Sequence, residues 1–395
     1  MYLGIDIGTS GVKAILMTES GDVAAQATAP LPISRPHPLW SEQDPADWWT
    51  ATNAAVKQLP LDLRNSVKGI GLAGQMHGAT LLDENDQVLR PAILWNDGRS
   101  EAACQTLENA APQLHAIAGN LAMPGFTAPK LLWVREHEPD VFAKTAKVLL
   151  PKDYVRLLMT GVYASDVSDA AGTLWLDVGQ RSWSSTLLEA SGLGVDHMPD
   201  VFEGSEVCGV ILADIADDWG LPSNTAVVGG GGDNAAGAIG VGVVQMGDAF
   251  LSLGTSGVLF SADAAYNPNA ASGVHTFCHA VPGVWHQMSV MLSAASCVDW
   301  AAKMVGAKDA AALIASAEEA QLFGQSETLF LPYLSGERTP HNNPRAKGVL
   351  FGLTHESGVA EIGQAVLEGV ALGFADGLDV LAASSKIETI SVIGG

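Results

Sequence analysis

The sequence has 395 residues, more than a single hydrophobic core usually serves, and this length predicts two domains. Its formal net charge of −23 argues against partners that select basic faces, namely nucleic acid and anionic membrane. The scattered cysteines form no Cys-x-x-Cys pair, the start has no basic signal region, and no apolar run could span a bilayer, so we expect a cytoplasmic protein.

Residues 1–30 are predicted to form strands joined by tight turns at 8–11 and 19–22. Apolar residues return after each turn too soon for a helix, which is typical of an antiparallel meander. The glycine turn of a P-loop or a Rossmann fold leads into a helix instead. The first turn therefore belongs to neither of those folds.

The next segment predicts a helix and then a buried strand. Asp44 is a favourable N-cap and Pro45 a favourable first helical residue. Apolar residues recur after them at helical spacing: Trp48, Ala51, Ala55 and Leu59. Residues 67–75 read as a buried strand that ends at Gln75.

Later segments continue the alternation of helices and strands. Residues 123–133 contain helix-breaking prolines, 225–240 predict a strand, a glycine loop and a small-residue helix, and 293–305 are helical. A long helix is predicted over 359–383, because residues recur there in one i+4 row: Ile362, Val366, Val370, Phe374 and Leu378. Residues 386–395 predict a strand that runs into Gly394 and Gly395.

The tetrapeptide Gly-Thr-Ser-Gly occurs twice, at 8–11 and at 254–257, each time between two apolar runs. Glycine lets a ligand approach the backbone, and successive N–H groups in such a turn can converge on an anion. Two copies favour phosphate binding by two sets of residues: Gly8, Thr9 and Ser10, and Gly254, Thr255 and Ser256. The alternative is two ordinary hairpin turns. Lys13 could add a positive charge near the first turn or could be a surface lysine.

Two aspartates are candidates for the chemistry. Asp6 alternates with apolar residues in a strand, where a carboxylate is costly unless it is paired or binds a cation, and Mg²⁺ is the natural cation beside a phosphate turn. The alternative for Asp6 is a structural hydrogen bond to that turn. Asp233 follows four glycines at a predicted helix start, a placement that suits a general base acting on a substrate hydroxyl. The alternative for Asp233 is a helix N-cap without chemistry.

Residues 230–235 also fit a loose dinucleotide fingerprint, Gly-x-Gly-x-x-Ala. That interpretation would place Asp233 against a pyrophosphate, where like charges repel, and no partner acid follows at a second strand end. A nicotinamide-dependent oxidoreductase is therefore a distant alternative.

Polar and aromatic residues at predicted strand ends and loops suit a polyhydroxylated ligand. They offer donors, acceptors and a flat apolar wall without a cluster of basic residues, which favours a neutral sugar or polyol over a sugar acid. The alternative for each is a satisfied polar residue at the edge of a core. The candidates are Met76, His77, Trp95, Asp97 and Arg338.

Together, DIGTSGVK, GGGGDNAAG, LSLGTSG and FLPYLSGERTP resemble the FGGY carbohydrate kinases, which belong to the actin/Hsp70/hexokinase superfamily. HPLWSEQDP, AGQMHGATLLD, LRPAILWNDGR and PGFTAPKLLW are most similar to its xylulokinase group. The resemblance implies an α/β fold of two ribonuclease H-like lobes, at 1–246 and 247–395, with ATP and sugar in a cleft between them.

The resemblance also implies a reaction and roles for the residues. The reaction is ATP-dependent phosphorylation of D-xylulose to D-xylulose 5-phosphate. Asp233 is the catalytic base, and Asp6 and Asp233 together hold Mg²⁺. The two turns take the phosphates of ATP, Met76 and His77 contact the sugar, and Gly394 and Gly395 begin the adenosine-binding motif. A homodimer is an open alternative to a monomer.

In the family, several helices and loops follow the strand that ends at 395, so the resemblance implies an incomplete second lobe. Two further alternatives follow. One is a truncated, inactive paralogue that binds sugar without phosphorylating it. The other is a relative of actin or Hsp70 that uses ATP to drive binding to a protein.

Overall fold

The structure, a computed structural model, describes residues 1–325, 327–382 and 386–394. They divide into two compact α/β units. Unit 1 comprises residues 1–240 and 277–284, and unit 2 comprises residues 241–276 and 285–395. The sequence predicts a domain boundary between residues 246 and 247. Nothing in the sequence indicates that residues 277–284 belong to unit 1.

Strands of unit 1 begin with the predicted meander. They are β1 (Tyr2–Ile7), β2 (Gly11–Met17), β3 (Val23–Pro30), β4 (Glu42–Gln43), β5 (Gly69–Gly74), β6 (Thr80–Leu82), β7 (Ala92–Ile93), β8 (Lys147–Leu149), β9 (Ala164–Asp166), β10 (Leu176–Asp177), β11 (Ser182–Trp183), β12 (Asp200–Phe202), β13 (Val207–Val210), β14 (Ala226–Val228) and β15 (Gly231–Gly232).

The main sheet of unit 1 has the order β13-β14-β5-β1-β2-β3, and β15 also pairs with β5. Strands β1, β2 and β3 are antiparallel neighbours, so the predicted meander is confirmed. Strand β5 pairs parallel to β1. Leu3, Ile5 and Ile7 alternate toward the core and are buried, because successive side chains of a strand point to opposite faces.

The helices of unit 1 are α1 (Pro45–Gln58), α2 (Leu61–Arg64), α3 (Glu101–Ala110), α4 (Leu114–Ala118), α5 (Thr127–His137), α6 (Pro139–Lys144), α7 (Pro151–Thr160), α8 (Val167–Ala171), α9 (Ser185–Ser191), α10 (Ala213–Trp219) and α11 (Asp233–Gly240). The Asp44 side chain accepts from the Ala46 N–H at 2.9 Å and caps α1 as predicted. Helix α5 includes Pro129, which lies in the first turn, where a missing N–H leaves no helical hydrogen bond unmade.

Unit 2 contains β16 (Asp248–Leu253), β17 (Gly257–Asp263), the first two residues of β18 (His275–Cys278), β19 (Trp285–Met291), β20 (Leu329–Leu331), β21 (Val349–Phe351), β22 (Thr389–Gly394), α12 (Ala295–Val305), α13 (Ala310–Ala320) and α14 (Val359–Ala382). Its main sheet has the order β18-β19-β17-β16-β22. Helix α14 buries Val366, Val370 and Phe374 of the predicted i+4 row in a core shared with α12.

Helix α14 is long, and we searched the described residues for a membrane span. Across residues 1–325, 327–382 and 386–394, no helix is both long and apolar enough to cross a bilayer.

Candidate active site

Three strands of unit 1 end side by side, and a predicted site residue directly follows two of them. Strands β1, β5 and β15 run parallel, with Ile7 paired to Gly74 and Gly74 paired to Gly232. Gly8, Gln75 and Asp233 are the next residues after the three ends. Ligands of α/β sheets bind outside the carboxyl ends of parallel strands. The register therefore brings the first turn and Asp233 to one edge.

The first turn directs its carbonyl groups toward the protein. The Thr9 carbonyl accepts from the Gln43 side chain at 2.7 Å, and the Ser10 carbonyl accepts from the Leu31 N–H at 3.0 Å. Within the described residues, the N–H groups of Thr9 and Ser10 have no hydrogen-bond partner. Two adjacent N–H groups are thus left for an anion, as the phosphate-binding prediction requires.

A chain of side-chain hydrogen bonds runs from this turn into the core. Trp95 Nε1 donates to Thr9 Oγ1 at 3.0 Å, and Thr9 Oγ1 donates to Gln75 Oε1 at 3.2 Å. Gln75 Nε2 donates to Gln43 Oε1 at 2.8 Å, which also accepts from Trp48 Nε1 at 2.9 Å. Both glutamines are buried, so their amides cannot be satisfied by bulk water. The network therefore fixes the Thr9 hydroxyl relative to Trp95.

Asp6 and Lys13 lie opposite each other on β1 and β2. They line one cavity of about 690 Å³, whose apolar wall includes Ile15, Met17 and Val228. Asp6 is exposed to this cavity, yet the surrounding protein removes part of its water and raises its pKa, while Lys13 acts in the opposite direction. A cation beside such a carboxylate would stabilise its charged form.

Asp233 begins α11 directly after β15, as the sequence predicts. Its carboxylate accepts from the Asn234 N–H at 2.7 Å and from the Asn234 side chain at 2.9 Å. Although the side chain remains accessible, loss of bulk water raises the pKa of Asp233 to about 6; the negative charge of Asp6 adds to this, and Asn234 opposes it. A carboxyl with this pKa can accept a proton near neutral pH.

The two aspartates are a fitting donor set for Mg²⁺. Mg²⁺ is commonly held by one or two carboxylates together with phosphate oxygens and water. The negative charge of Asp6 contributes to the raised pKa of Asp233, so a cation beside the two carboxylates would be favourable. In the described part of the chain, no group of three or more His, Cys, Asp or Glu side chains could hold a metal ion, so a cation here would take its other ligands from substrate or water.

Met76 and His77 follow β5 beside the two aspartates. Met76 covers Gly232, where an added Cβ would lie 2.9 Å from the Met76 sulfur. His77 Nδ1 lies 2.6 Å from the Gly172 carbonyl oxygen, which can only accept, so Nδ1 carries a proton. The His77 ring also packs edge-on against Phe126 at 4.8 Å. Met76 thus lies against the residue before Asp233, and the His77 ring is held by Gly172 and Phe126.

The His77 backbone has a positive φ of 70°, an uncommon conformation for a residue with a side chain. Its carbonyl accepts from Lys130 Nζ at 2.8 Å and from Thr127 Oγ1 at 3.2 Å, both on α5. Lys130 is fully buried, and burial holds the pKa of its amino group well below the usual value. Helix α5 therefore stabilises the backbone from which the His77 ring projects.

Asp97, a predicted substrate contact, lies in a buried ion-pair cluster. Its carboxylate accepts from the Arg99 guanidinium at 2.6 Å and from the Ser41 N–H at 2.6 Å. Arg99 also pairs with Glu42 at 2.7 Å and stacks over Trp40 at 3.5 Å. These contacts occupy Asp97 with structural partners, and its contact with a substrate stays a prediction.

The second turn lies in unit 2 and directs its carbonyls toward the protein in the same way. The Gly254 carbonyl accepts from the Ala295 N–H at 2.9 Å, and the Thr255 carbonyl accepts from the Ala294 N–H at 3.0 Å, both at the start of α12. In the parts of unit 2 that the structure describes, the N–H groups of Thr255 and Ser256 have no partner. This turn offers an anion the same pair of donors as the first.

The two hairpins nevertheless differ in register. Ile7 pairs with Val12 around the first turn, whereas Leu253 pairs with Gly257 around the second. The first turn therefore leaves one more residue between its paired strands than the second. A shift of one residue moves side chains to the other face of a strand, so the identical tetrapeptides are not superimposable copies.

Gly394 lies beside the second turn. Strand β22 runs parallel to β16 and pairs Gly394 with Leu253, the residue before Gly254. The φ of Gly394 is 115°, and an added Cβ would lie 2.2 Å from the Leu253 carbonyl oxygen, so only glycine fits there. Gly395, which the sequence analysis also assigns to nucleotide binding, lies outside the described residues.

Arg338, the remaining predicted sugar contact, also belongs to unit 2. Its guanidinium lies 3.1 Å from His275 Nε2, and burial lowers its pKa. The predicted residues thus form two sets, one in each unit.

Comparison with known families accounts for nearly all of the chain. Residues 1–240 match the N-terminal domain of the FGGY family of carbohydrate kinases, and residues 249–395 match its C-terminal domain. The chain belongs to the FGGY family of carbohydrate kinases. The predicted two-domain α/β fold of this family is confirmed, and this FGGY kinase is a phosphotransferase.

Similar proteins are xylulose kinases. This FGGY kinase is 60% identical to the xylulose kinase of Klebsiella pneumoniae and 58% identical to that of Escherichia coli strain K12; both matches cover 100% of this chain and 82% of the relative. A solved structure of a xyloylose kinase from Brucella ovis is 51% identical, with a TM-score of 0.95, and the match covers 100% of this chain and 82% of that one.

Several residues that shape the site of this FGGY kinase carry no sequence signal. Gln43 and Lys130 are polar residues whose partners are distant in sequence, and Lys130 lies in the segment 123–133, where the sequence predicts that prolines break a helix. Gln75 stands at the predicted strand end, but its bond to Gln43 follows only from the register of β1 and β5.

Proposed function

We propose that this FGGY kinase transfers the γ-phosphoryl group of ATP to the 5-hydroxyl of D-xylulose, giving D-xylulose 5-phosphate. The full-length matches to xylulose kinases at 58–60% identity support the choice of sugar. The observation that carries the assignment is the shared edge of β1, β5 and β15, where the first turn, Asp6 and Asp233 meet.

In this proposal Asp233 is the general base. Its carboxylate accepts the proton of the sugar hydroxyl as that oxygen forms a bond to the γ-phosphorus of ATP. The bond between the γ-phosphorus and the bridging oxygen of ADP breaks, and the proton later passes from Asp233 to water. Little covalent chemistry falls to the protein, so catalysis depends on position and charge.

We assign the nucleotide to the turns and their neighbours. The N–H groups of Thr9 and Ser10, with Lys13 on the same hairpin, face phosphate oxygens, and the Thr255 and Ser256 N–H groups beside Gly394 do so in unit 2. Asp6, with Asp233 next to it, would hold Mg²⁺, which supplies positive charge to the transferred phosphoryl oxygens. Because ATP is the phosphoryl donor, we place the reaction in the cytoplasm.

We assign the sugar to Met76, His77 and Trp95. His77 offers a ring nitrogen, Trp95 offers a flat face, and Met76 offers a polarisable wall beside Gly232, a combination suited to a polyol chain. Asp97 and Arg338 stay predictions for the sugar, and a homodimer stays an untested alternative.

The test is ADP release by the 395-residue chain with MgATP, with and without D-xylulose, beside ribulose, glycerol and gluconate. We expect a large increase with D-xylulose and a much smaller one with the other compounds. An equal increase with another compound would overturn the choice of sugar.

Absence of ADP release with every compound would overturn the kinase proposal for this chain. Calorimetry with D-xylulose and with ATP then separates the alternatives. Sugar binding without ATP binding would support a sugar-binding paralogue, and ADP release that responds only to a protein partner would support an actin- or Hsp70-like protein.

A further inference from the structure

A group of ionisable side chains is fully buried beneath the glycine loop that leads to Asp233. It consists of Lys152, Asp153, Arg156, Asp166 and Asp169, all with no exposed surface. Lys152 Nζ lies 2.6 Å from the Asp153 carboxylate, 2.7 Å from that of Asp166 and 3.1 Å from that of Asp169. Buried ion pairs of this kind contribute little net stability, because the charges must leave water.

Burial raises the pKa of Asp169 well above its usual value, against the attraction of Lys152. The group holds two cations, Lys152 and Arg156, among three carboxyl groups. Ion pairs join all five side chains, so the group forms one connected support beneath the loop.

Two of its hydrogen bonds reach the glycine loop. The Arg156 guanidinium donates to the Gly229 carbonyl at one end of the loop. At the other end, the Gly232 N–H donates to the Ser168 hydroxyl at 3.0 Å, and that hydroxyl donates to Asp166. Ser168 thus connects the buried charges to the residue directly before Asp233.

The glycine loop is packed closely against the backbone of neighbouring segments. Gly230 has a φ of 76°, and an added Cβ there would lie 2.0 Å from the Leu72 carbonyl oxygen. An added Cβ at Gly229 would lie 2.4 Å from the Glu203 carbonyl oxygen. The loop is therefore pressed against its neighbours between the two hydrogen bonds.

We propose that Ser168 is a positioning residue for Asp233, that Asp166 of the buried group holds Ser168 in place, and that Arg156 holds the other end of the loop at Gly229. The Ser168 hydroxyl fixes the Gly232 peptide, and this peptide sets the direction from which the Asp233 carboxylate faces the substrate hydroxyl. The inference rests on the proposed function, because it takes Asp233 as the base. A displacement of about 1 Å at a reacting group can cost about 100-fold in rate.

The experiment compares Ser168→Ala with Ser165→Ala. Ser165 is 1% exposed, and its hydroxyl has no hydrogen-bond partner within the described residues, so it is a matched control for the loss of a buried hydroxyl. We expect Ser168→Ala to lower kcat about 10- to 100-fold, with KM for D-xylulose and ATP within about threefold. Ser165→Ala should leave kcat within about twofold.

A double-mutant cycle separates positioning from general damage. If Ser168 acts through Asp233, Ser168→Ala will have no further effect on the residual rate of an Asp233→Asn variant. An equal loss in both backgrounds, or an unchanged kcat in Ser168→Ala, would overturn the inference. Should Ser168→Ala not fold, Ser168→Cys keeps the size with a weaker acceptor and should show a smaller kcat loss of the same pattern; an unchanged kcat would again overturn the inference.

Hydrogen exchange of the Gly232 amide gives a readout that does not depend on catalysis. We expect Ser168→Ala, and not Ser165→Ala, to accelerate exchange at Gly232 at least about tenfold, since the amide loses the Ser168 hydroxyl as its acceptor. Unchanged exchange would contradict the inference even if the chain phosphorylates no sugar, so the two proposals can fail separately.

Discussion

The indole N–H of Trp95 donates a hydrogen bond to the hydroxyl of Thr9 across 3.0 Å. Trp95 is a predicted sugar contact and Thr9 a predicted phosphate contact, and 86 positions separate them. The bond joins the two halves of the proposed reaction within unit 1. A change at either residue should therefore affect the binding of both substrates.

Trp95→Phe tests this link, because phenylalanine keeps a flat apolar wall and loses the N–H donor. We expect KM for ATP to rise about 3- to 10-fold, since Thr9 loses one partner, while KM for D-xylulose changes less. Trp95→Ala should raise KM for ATP and KM for D-xylulose. Trp95 is 48% exposed, so neither change should cost much stability. Steady-state kinetics would contradict the link if Trp95→Phe left both KM values unchanged.

Substitution of Gln43 should lower stability more than substitution of Trp95. Gln43→Met removes the donor to the carbonyls of Thr9 and Pro32 and the acceptor for Trp48 Nε1. Leaving these buried groups unpaired should lower the free energy of unfolding by about 2–4 kcal/mol and raise KM for ATP. Gln58→Met, on the exposed face of α1, is the matched control. Equal denaturant midpoints for the two variants would contradict the role of Gln43.

Asp233→Asn should become more stable relative to the wild type as pH rises. The pKa of Asp233 is raised to about 6 in the folded state, above the unfolded value near 4, so the native protein binds more protons between about pH 4 and 6. Wild-type stability therefore falls as pH increases through this window, and an asparagine does not follow it. We expect the Tm advantage of Asp233→Asn to grow by about 1–3 °C from pH 4.5 to 7.5, without metal or nucleotide. Parallel Tm profiles would contradict the raised pKa.

The glycine loop and the helix after it should respond oppositely to alanine. Gly230→Ala introduces a Cβ at a positive φ and 2.0 Å from a carbonyl oxygen, and should lower the free energy of unfolding by about 3 kcal/mol or more. Gly237→Ala, in α11, meets no atom within 4 Å and should stabilise by about 0.5–1 kcal/mol. Chemical denaturation measures both, and a tolerated Gly230→Ala would show that the loop has another path.

The sequence predicts elements whose signals are local. The meander at 1–30, the Asp44 cap of α1 and the placement of Asp233 after a glycine loop all depend on neighbouring residues, and all are found. The family was also accessible, because its motifs are contiguous stretches.

Features that depend on pairing between distant segments could not be predicted. The two Gly-Thr-Ser-Gly turns have the same sequence, but the strands on either side of each turn pair in different registers. Nothing in the sequence indicates that the charged residues Asp153 and Arg156 are fully buried, and only the fold reveals it. The sequence predicts that the Asp97 carboxylate is available to a ligand, whereas in the structure this carboxylate forms an ion pair with Arg99.

The central claim is that Asp233 is the base for phosphoryl transfer, and the rate of D-xylulose phosphorylation by Asp233→Asn tests it most directly. The account predicts a loss of about 10²–10⁴-fold in kcat, with D-xylulose still binding by calorimetry and the fold retained, because asparagine keeps the shape and cannot accept the proton. Turnover within about threefold of wild type would contradict it.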